Sequence, residues 1–266
     1  MGILFHSNAI ETLLTHAVNK KVYTENEVFF HQERWHCFDA HSIASNPDKK
    51  KLLQYLNNAI QETHQAIKEA THLNITLGTA WVYRHIATDA IVANCHKVPQ
   101  KHFVKELRTV TEISESLDAI IAMVRSINPT IQFLFTLSPV RHIKDGFVEN
   151  ARSKAHLLTA IHQVVNTTNV SYFPSYEILM DELRDYRFYA SDMVHPNETA
   201  IAYIWERFLD TWISEKAKDT LQDVEKIQRG LAHKPFHQDS EAHQKFVKTL
   251  DGQLQKLQEQ FPNITF

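Results

Sequence analysis

The segment IQFLFTLSPV, residues 131–140, decides the fold. Its first seven residues are almost wholly apolar, and Ser138 followed by Pro139 closes the run. A short apolar run without polar alternation is typical of a strand that is covered on both faces, as strands of parallel sheets are. We therefore predict that this segment is a strand of a parallel sheet with helices on its faces.

The segments around this strand alternate between helical and strand-like spacing. Apolar residues recur with helical spacing over residues 50–70, 112–127, 150–166 and 198–213. The segments LNITLGTAWVY, residues 73–83, and NVSYFPSYEIL, residues 169–179, have the β-branched and aromatic content of strands. The order helix, strand, helix, strand, helix, strand, helix predicts an α/β fold with a parallel sheet.

The last of these helices and the segment after it differ in character. The helix carries one broad apolar stripe that we interpret as core, formed by Ile201, Ile204, Trp205, Phe208 and Trp212. After Lys216 the chain is charged and mostly helical in pattern, with a break at residues 229–236. We predict a main domain over residues 1–215 and a helical C-terminal extension over residues 216–266. The extension is expected to pack on the main domain or to form a homo-oligomer.

Composition narrows the classes of function. The net charge is −3, with 28 basic against 31 acidic residues, so no overall field recruits nucleic acid or an anionic membrane. No apolar stretch approaches the roughly 20 residues that span a bilayer. The N-terminus has neither the basic region nor the small-residue cleavage site of a leader, so we expect a cytoplasmic protein.

Glycine and histidine counts bear on cofactors. The five glycines form no Gly-rich phosphate loop, which argues against nucleotide binding. The 17 histidines include the clusters RWHCFDAH, residues 34–41, and NCHK, residues 94–97, but none has a recognised metal-ligand spacing. We expect no cofactor and no metal. Metal-dependent hydrolysis by these histidines is the lowest-ranked of our three hypotheses, and the other two are given at the end of this section.

Distinctive polar residues follow each predicted strand. GTAW begins at Gly78, SPVRH begins at Ser138, and residues 175–195 follow the third strand. Chemistry in open parallel sheets is found at the carboxyl ends of the strands. We therefore expect these residues on one rim of the sheet.

Asp192 and His195 lie in the loop YASDMVHPNE, residues 189–198, just before a helix. A carboxylate three residues before a histidine can orient its ring and leave the other ring nitrogen free to take a proton from a hydroxyl nucleophile. The alternative is that both are ordinary loop residues at a helix start.

Several segments together resemble the GSCFA domain family, a bacterial branch of the SGNH hydrolase-like (GDSL-type) superfamily. They are LGTAWVY, ANCHK, LSPVRH, YFPSYEILMDELRDYRFYASDMVHP, YIWERF and the tail LAHKPFHQDSEAHQKF. The resemblance runs from Gly2 almost to Phe266. It implies a three-layer α/β/α flavodoxin-like parallel sheet, and it makes Asp192 and His195 the Asp-x-x-His block that supplies the orienter and the base.

The resemblance also implies a nucleophile that this sequence lacks. The family is named for a Gly-Ser-Cys-Phe-Ala stretch at the end of its first strand, whose serine holds the nucleophile position, and no glycine here is followed by serine. We expect that the first strand and helix are missing, either by truncation or in a shortened relative that no longer catalyses. Ser138 and Ser7 are possible substitutes, although Ser138 before Pro139 is typical of a turn.

Auxiliary roles are assigned by the same resemblance. Gly78 and Thr79 lie where the superfamily has its oxyanion-hole block, and the alternative for Gly78 is a plain tight turn. The superfamily pattern has an oxyanion-hole asparagine two residues after this glycine. No asparagine stands there in this sequence, so Asn94 is a possible substitute. Arg141 could bind an anionic substrate group or pair with the acidic segment at residues 181–185, and we favour a structural role for His142.

Two functions remain in competition. The first is an esterase or acyltransferase that acts on a small-molecule or glycan ester without a cofactor. The alternative is a catalytically inactive binding or assembly protein that retains the SGNH-like fold.

Overall fold

A computed structural model describes residues 1–165, 168–235, 240–262 and 264–266. The chain divides into two compact units, Met1–Ile201 and Ala202–Phe266. The strands, all in the first unit, are β1 (Phe29–His31), β2 (Arg34–His36), β3 (His72–Leu77), β4 (Trp81–His85), β5 (Ala90–Val92), β6 (Phe103–Leu107), β7 (Gln132–Leu137) and β8 (Val170–Phe173). The helices are α1 (Ser7–Val18), α2 (Lys49–Glu69), α3 (Val110–Ile127), α4 (Phe147–Val164), α5 (Ser175–Glu177), α6 (Glu198–Trp212), α7 (Glu215–Ala232) and α8 (Glu241–Gln260).

The parallel sheet has the strand order β3-β7-β8, so β7 lies in the middle. Phe133 and Phe135 of β7 are fully buried on one face, and Leu134 on the other face is 5% exposed. The predicted strand at residues 131–140 is therefore confirmed as one that is covered on both faces.

Helices α1, α3 and α4 pack over the face that carries Phe133 and Phe135, and they pack against one another. Helix α3 begins with a capping box in which Thr109 and Glu112 satisfy each other's backbone amides. It ends at Ile127, where the Asn128 side chain donates to the carbonyl groups of Ile67 and Ala70. This buried asparagine ties the end of α3 to the end of α2.

The predicted alternation of helices and strands is confirmed, and the fold is α/β with a parallel sheet. The predicted end of α4 at residue 166 lies outside the described residues; the helix ends at Val164. The predicted break at residues 229–236 begins too early, because α7 continues to Ala232; its last residue, Phe236, is outside the described residues.

Helix α1 was not predicted from the sequence, and neither were two β elements. One is the β1–β2 hairpin, and the other is the antiparallel sheet β5-β4-β6, which is inserted between β3 and α3. Only three residues, 78–80, separate β3 from β4. The two strands therefore have the appearance of one apolar run in the sequence.

The apolar stripe on α6 was predicted to be core, and this is wrong: none of its five members is buried, two are exposed, and Ile204, Phe208 and Trp212 are half-buried. Ile201 is 55% exposed and Trp205 is 44% exposed. Trp205 stacks on Phe208, with ring centroids 5.4 Å apart, so the two aromatic rings cover part of each other.

In the second unit, α7 and α8 pack through Ile227, Leu250 and Leu257. A Cβ atom at Gly230 would lie 2.6 Å from a methyl carbon of Leu250, so glycine allows the two helices to approach closely here. The predicted helical extension is thus helical in the described residues. None of the helices within the described residues is long and apolar enough to cross a membrane.

A buried lysine ties the carboxyl ends of two parallel strands. Lys154 of α4 is 2% exposed, and its Nζ donates to the carbonyl oxygens of Gly78 and Ser138, each at 2.7 Å. These two residues directly follow β3 and β7. Burial lowers the pKa of Lys154 to about 7.

This lowered pKa predicts a pH-dependent stability. Between about pH 7 and about pH 9 the unfolded chain keeps the lysine proton and the native chain releases it, so raising the pH favours the native state. Relative to Lys154→Met, the free energy of unfolding of the wild type should rise by up to about 1.4 kcal/mol per pH unit. Urea unfolding at several pH values measures this difference. Lys68→Met, which removes an exposed lysine from α2, is the control and should track the wild type. A difference that does not change with pH would show that Lys154 stays charged.

Candidate active site

The loop before α6 holds Asp192 against His195. Oδ2 of Asp192 lies 2.7 Å from Nδ1 of His195, and Oδ1 accepts hydrogen bonds from the backbone amides of Val194 and His195 at 2.9 and 3.0 Å. The loop is closed by a bond of 2.7 Å from the amide of Ala190 to the carbonyl of His195. Donation by the His195 backbone amide, then by its ring, then by the Val194 amide lowers the pKa of Asp192 to about 2. The carboxylate is therefore ionised at neutral pH.

This geometry fixes the tautomer of His195. An ionised carboxylate can only accept, so Nδ1 carries the hydrogen and Nε2 presents a lone pair when the ring is neutral. The side chain is 60% exposed, and within the described ranges no residue hydrogen-bonds to Nε2. His195 can thus take a proton from a group that approaches from solvent.

The amides of Gly78 and Thr79, predicted to face an oxyanion, both donate to the carbonyl oxygen of Phe5, at 2.8 and 3.2 Å. A Cβ atom on Gly78 would lie 3.3 Å from that oxygen and 3.4 Å from Nε2 of His142. Only glycine therefore fits this position without a shift of its neighbours. An oxyanion could bind these amides only by displacing Phe5.

The two candidate serines occupy structural positions. The hydroxyl of Ser138 accepts from the amide of Val140 at 3.3 Å, which is the turn arrangement expected before Pro139. Ser7 is 3% exposed as the first residue of α1. Neither hydroxyl hydrogen-bonds to His195.

His142 contacts Phe5 and the turn at Gly78. Its ring makes an edge contact with Phe5, with centroids 6.3 Å apart. Burial lowers its pKa, and the charges of Lys154 and His195 lower it further. The His142 ring packs on Gly78, and the amide of the neighbouring Arg141 donates to the carbonyl of Val194 at 3.4 Å, so the segment after β7 contacts both the turn after β3 and the loop of His195.

Arg141 packs against two tyrosines of the segment before His195. Its backbone amide donates to the carbonyl of Val194 at 3.4 Å, next to His195. Its guanidinium carbon lies 4.3 Å from the ring centre of Tyr189 and 5.3 Å from that of Tyr186. Asp185 of the acidic segment pairs with Arg187 instead. Arg141 thus supports the loop by stacking.

Asn94 and Thr79 share the wall of a cavity of about 680 Å³, which we call the Trp81 cavity. Its wall also includes Phe5, Trp81, Phe103 and His142. The Oδ1 atom of Asn94 accepts from the hydroxyl of Ser42 at 3.0 Å and from the amide of His96 at 2.8 Å. Sequence reasoning missed this cavity because it is built on the antiparallel sheet β5-β4-β6.

Two of the clustered histidines meet in space. Nδ1 of His36 lies 3.2 Å from Nδ1 of His96, and the Nε2 atom of each contacts a backbone carbonyl, that of His31 or Cys37. Burial lowers the pKa of His96 to about 4. Across the described residues, no group of three or more His, Cys, Asp or Glu side chains is arranged to hold a metal ion.

Comparisons with known proteins bear on the family. The model of the GSCFA family matches residues 1–208, and the model of the GSCFA domain protein, C-terminal domain, matches residues 224–266. Comparisons with curated proteins and with solved structures give no match. The first model alone covers well over half of the 266 residues. The resemblance seen in the sequence is therefore confirmed, and the chain belongs to the GSCFA family.

Proposed function

We propose that this protein is an SGNH-type serine hydrolase, an esterase or acyltransferase that acts on a small-molecule or glycan ester. His195 is the general base and Asp192 orients it. The observation that carries the proposal is the contact of 2.7 Å between Oδ2 of Asp192 and Nδ1 of His195, which leaves Nε2 exposed. The parallel order β3-β7-β8, with these residues beyond the strand ends, supports an SGNH-like three-layer fold.

The chemistry follows from the tautomer. A serine hydroxyl attacks the ester carbonyl carbon while Nε2 of His195 takes its proton. The tetrahedral intermediate then breaks the carbon–oxygen bond to the alcohol, and His195 returns the proton to that alcohol. The acyl-serine passes its acyl group to water or to another hydroxyl, whose proton His195 takes in turn and gives back to the serine. Asp192 stays ionised and stabilises the imidazolium.

The attacking serine is the part of the proposal that rests on family resemblance. The 266 residues contain no Gly-Ser pair, and no described serine hydrogen-bonds to His195. The proposal assigns this role to the serine of the Gly-Ser-Cys-Phe-Ala stretch for which the family is named.

One observation favours the second candidate function, a binding protein without catalysis. The Phe5 carbonyl oxygen occupies both amides, of Gly78 and Thr79, that an oxyanion would need. An enzyme requires that this bond opens during turnover, whereas a binding protein does not.

His195→Ala tests the base. In protein isolated from the cells that produce it, the variant should lose turnover of p-nitrophenyl acetate by about 10²–10⁴-fold and lose labelling by a fluorophosphonate. Mass spectrometry of the labelled wild type identifies the serine. His72→Ala, at the amino end of β3 and exposed, is the matched control and should retain wild-type turnover. Equal turnover in wild type and His195→Ala contradicts the proposal. A wild type that neither turns over nor labels favours the binding protein.

Asp192→Asn tests the orienter. The amide oxygen of asparagine can still accept from the Val194 and His195 backbone amides, so the loop should keep its shape. Its NH₂ group would donate to Nδ1, which moves the ring hydrogen to Nε2 and removes the proton acceptor. We expect a loss of turnover of about 10²–10⁴-fold with unchanged thermal unfolding.

Nitrogen NMR of the His195 ring reports the tautomer directly. Asp185→Asn is the control, because Asp185 also accepts from a backbone amide two residues ahead, that of Arg187. Retained turnover in Asp192→Asn, or an unchanged tautomer, would contradict the assigned role.

A further inference from the structure

The Trp81 cavity combines an apolar wall with an unbalanced charge. Phe5, Trp81 and Phe103 supply aromatic surface, and Lys97 and Lys144 supply two cations. None of the described residues that line the cavity is Asp or Glu. An apolar cavity with a few charged groups of one sign is suited to an organic ion of the opposite sign.

The two lysines are exposed and have no acidic partner among the described residues. The nearby acid Asp145, adjacent to Lys144 in the chain, pairs instead with Lys105, whose ammonium also lies 4.7 Å from the ring centre of Trp81. Lys97 and Lys144 both line the cavity. Their charge is therefore available to a ligand.

The turn that carries Lys97 is held in a costly conformation. His96 and Lys97 have φ angles of 49° and 59°, in the left-handed region, and the amide of Val98 donates to the carbonyl of Cys95 at 2.9 Å. Such a conformation is unfavourable for a non-glycine residue and persists only where the surroundings impose it. Here buried His96 imposes it, since its Nε2 lies 2.7 Å from the Cys37 carbonyl and its amide donates to Asn94.

Cys95 and His6, which also line the cavity, are neutral at neutral pH. Burial raises the pKa of Cys95 to about 11, which keeps its thiol protonated and excludes it as a nucleophile at neutral pH. Burial lowers the pKa of His6 to about 4, so its ring is uncharged. The positive charge of the cavity at neutral pH therefore comes from Lys97 and Lys144.

We propose that the Trp81 cavity binds an organic anion, an apolar body that carries a carboxylate, with the body against Trp81 and Phe103 and the carboxylate at Lys97 and Lys144. This assignment rests on the proposed function, because it makes the bound anion one part of the ester on which His195 acts. His142 lines the cavity, and the backbone amide of its neighbour Arg141 donates to the carbonyl of Val194, next to His195, at 3.4 Å.

Calorimetric titration with benzoate tests the proposal on the full chain, with benzyl alcohol and benzylamine as neutral and cationic probes of the same ring. We expect benzoate to bind at least about tenfold more tightly than the alcohol and the amine not to bind. Replacement of both lysines, Lys97→Gln with Lys144→Gln, should weaken benzoate binding by about tenfold and remove its dependence on salt. Lys101→Gln removes an exposed lysine that does not line the cavity, and this control should bind as the wild type does.

The same titration on His195→Ala separates this proposal from the proposed function. Lysine-dependent benzoate binding that persists in His195→Ala supports the cavity assignment even if no ester is turned over. Equal binding of benzoate and benzyl alcohol, or benzoate binding that is unchanged in the double lysine variant, overturns the assignment even if His195→Ala abolishes turnover. All of these substitutions are at exposed side chains, so the variants should fold as the wild type does.

Discussion

The buried side chain of Lys154 holds the carboxyl edge of the parallel sheet. None of the ion pairs among the described residues gives it a carboxylate partner. Burying a lysine is costly, and Lys154 offsets part of that cost by donating to two backbone carbonyls that would otherwise lack partners. Because those carbonyls belong to Gly78 and Ser138, the ends of β3 and β7 are fixed relative to each other. Gly78 and Thr79 directly follow β3, and Ser138, Arg141 and His142 follow β7, so this part of the candidate site is positioned from this edge. The free energy of burying Lys154 is thus coupled to the shape of the site.

The sequence was a good guide wherever the determining interaction is local. The mostly apolar run of β7 identified a strand covered on both faces, since burial on both sides leaves few positions for a polar residue. Asp192 and His195 could be paired from their spacing, because a turn of three residues brings the carboxylate to the ring.

The sequence was a poor guide to contacts between distant segments. His36 and His96 are 60 residues apart, and Lys154 is 76 residues from Gly78, so spacing carries no signal for either contact. The exposed members of the α6 stripe show the same limit, because helical periodicity gives the direction of a face but not what covers it.

The site is built from two kinds of constraint with different energetic consequences. The Asp192 loop is exposed, and it is held by three hydrogen bonds to one carboxylate, so its geometry survives without a core around it. The turn at Gly78 is instead packed between the Phe5 carbonyl and the His142 ring, where even a single added carbon would be crowded. In the proposed reaction, the exposed His195 would exchange protons with solvent while the packed amides of Gly78 and Thr79 stay fixed.

The Phe5 carbonyl is a neutral oxygen, and it accepts from the two amides that would bind the oxyanion in the proposed reaction. Hydrogen bonds to an ionised acceptor are roughly twice as strong as those to a neutral one, so an oxyanion competes favourably for the Gly78 and Thr79 amides once it is formed. The ester in its ground state has only a neutral carbonyl, and it gains nothing by displacing Phe5. Such a competition stabilises the transition state selectively, since the amides are released only to a species that carries the developing charge. Phe5 also lines the Trp81 cavity, so its displacement by an oxyanion would alter the cavity wall at the same time. Binding in that cavity and chemistry at His195 are therefore expected to be coupled through the position of this one backbone carbonyl.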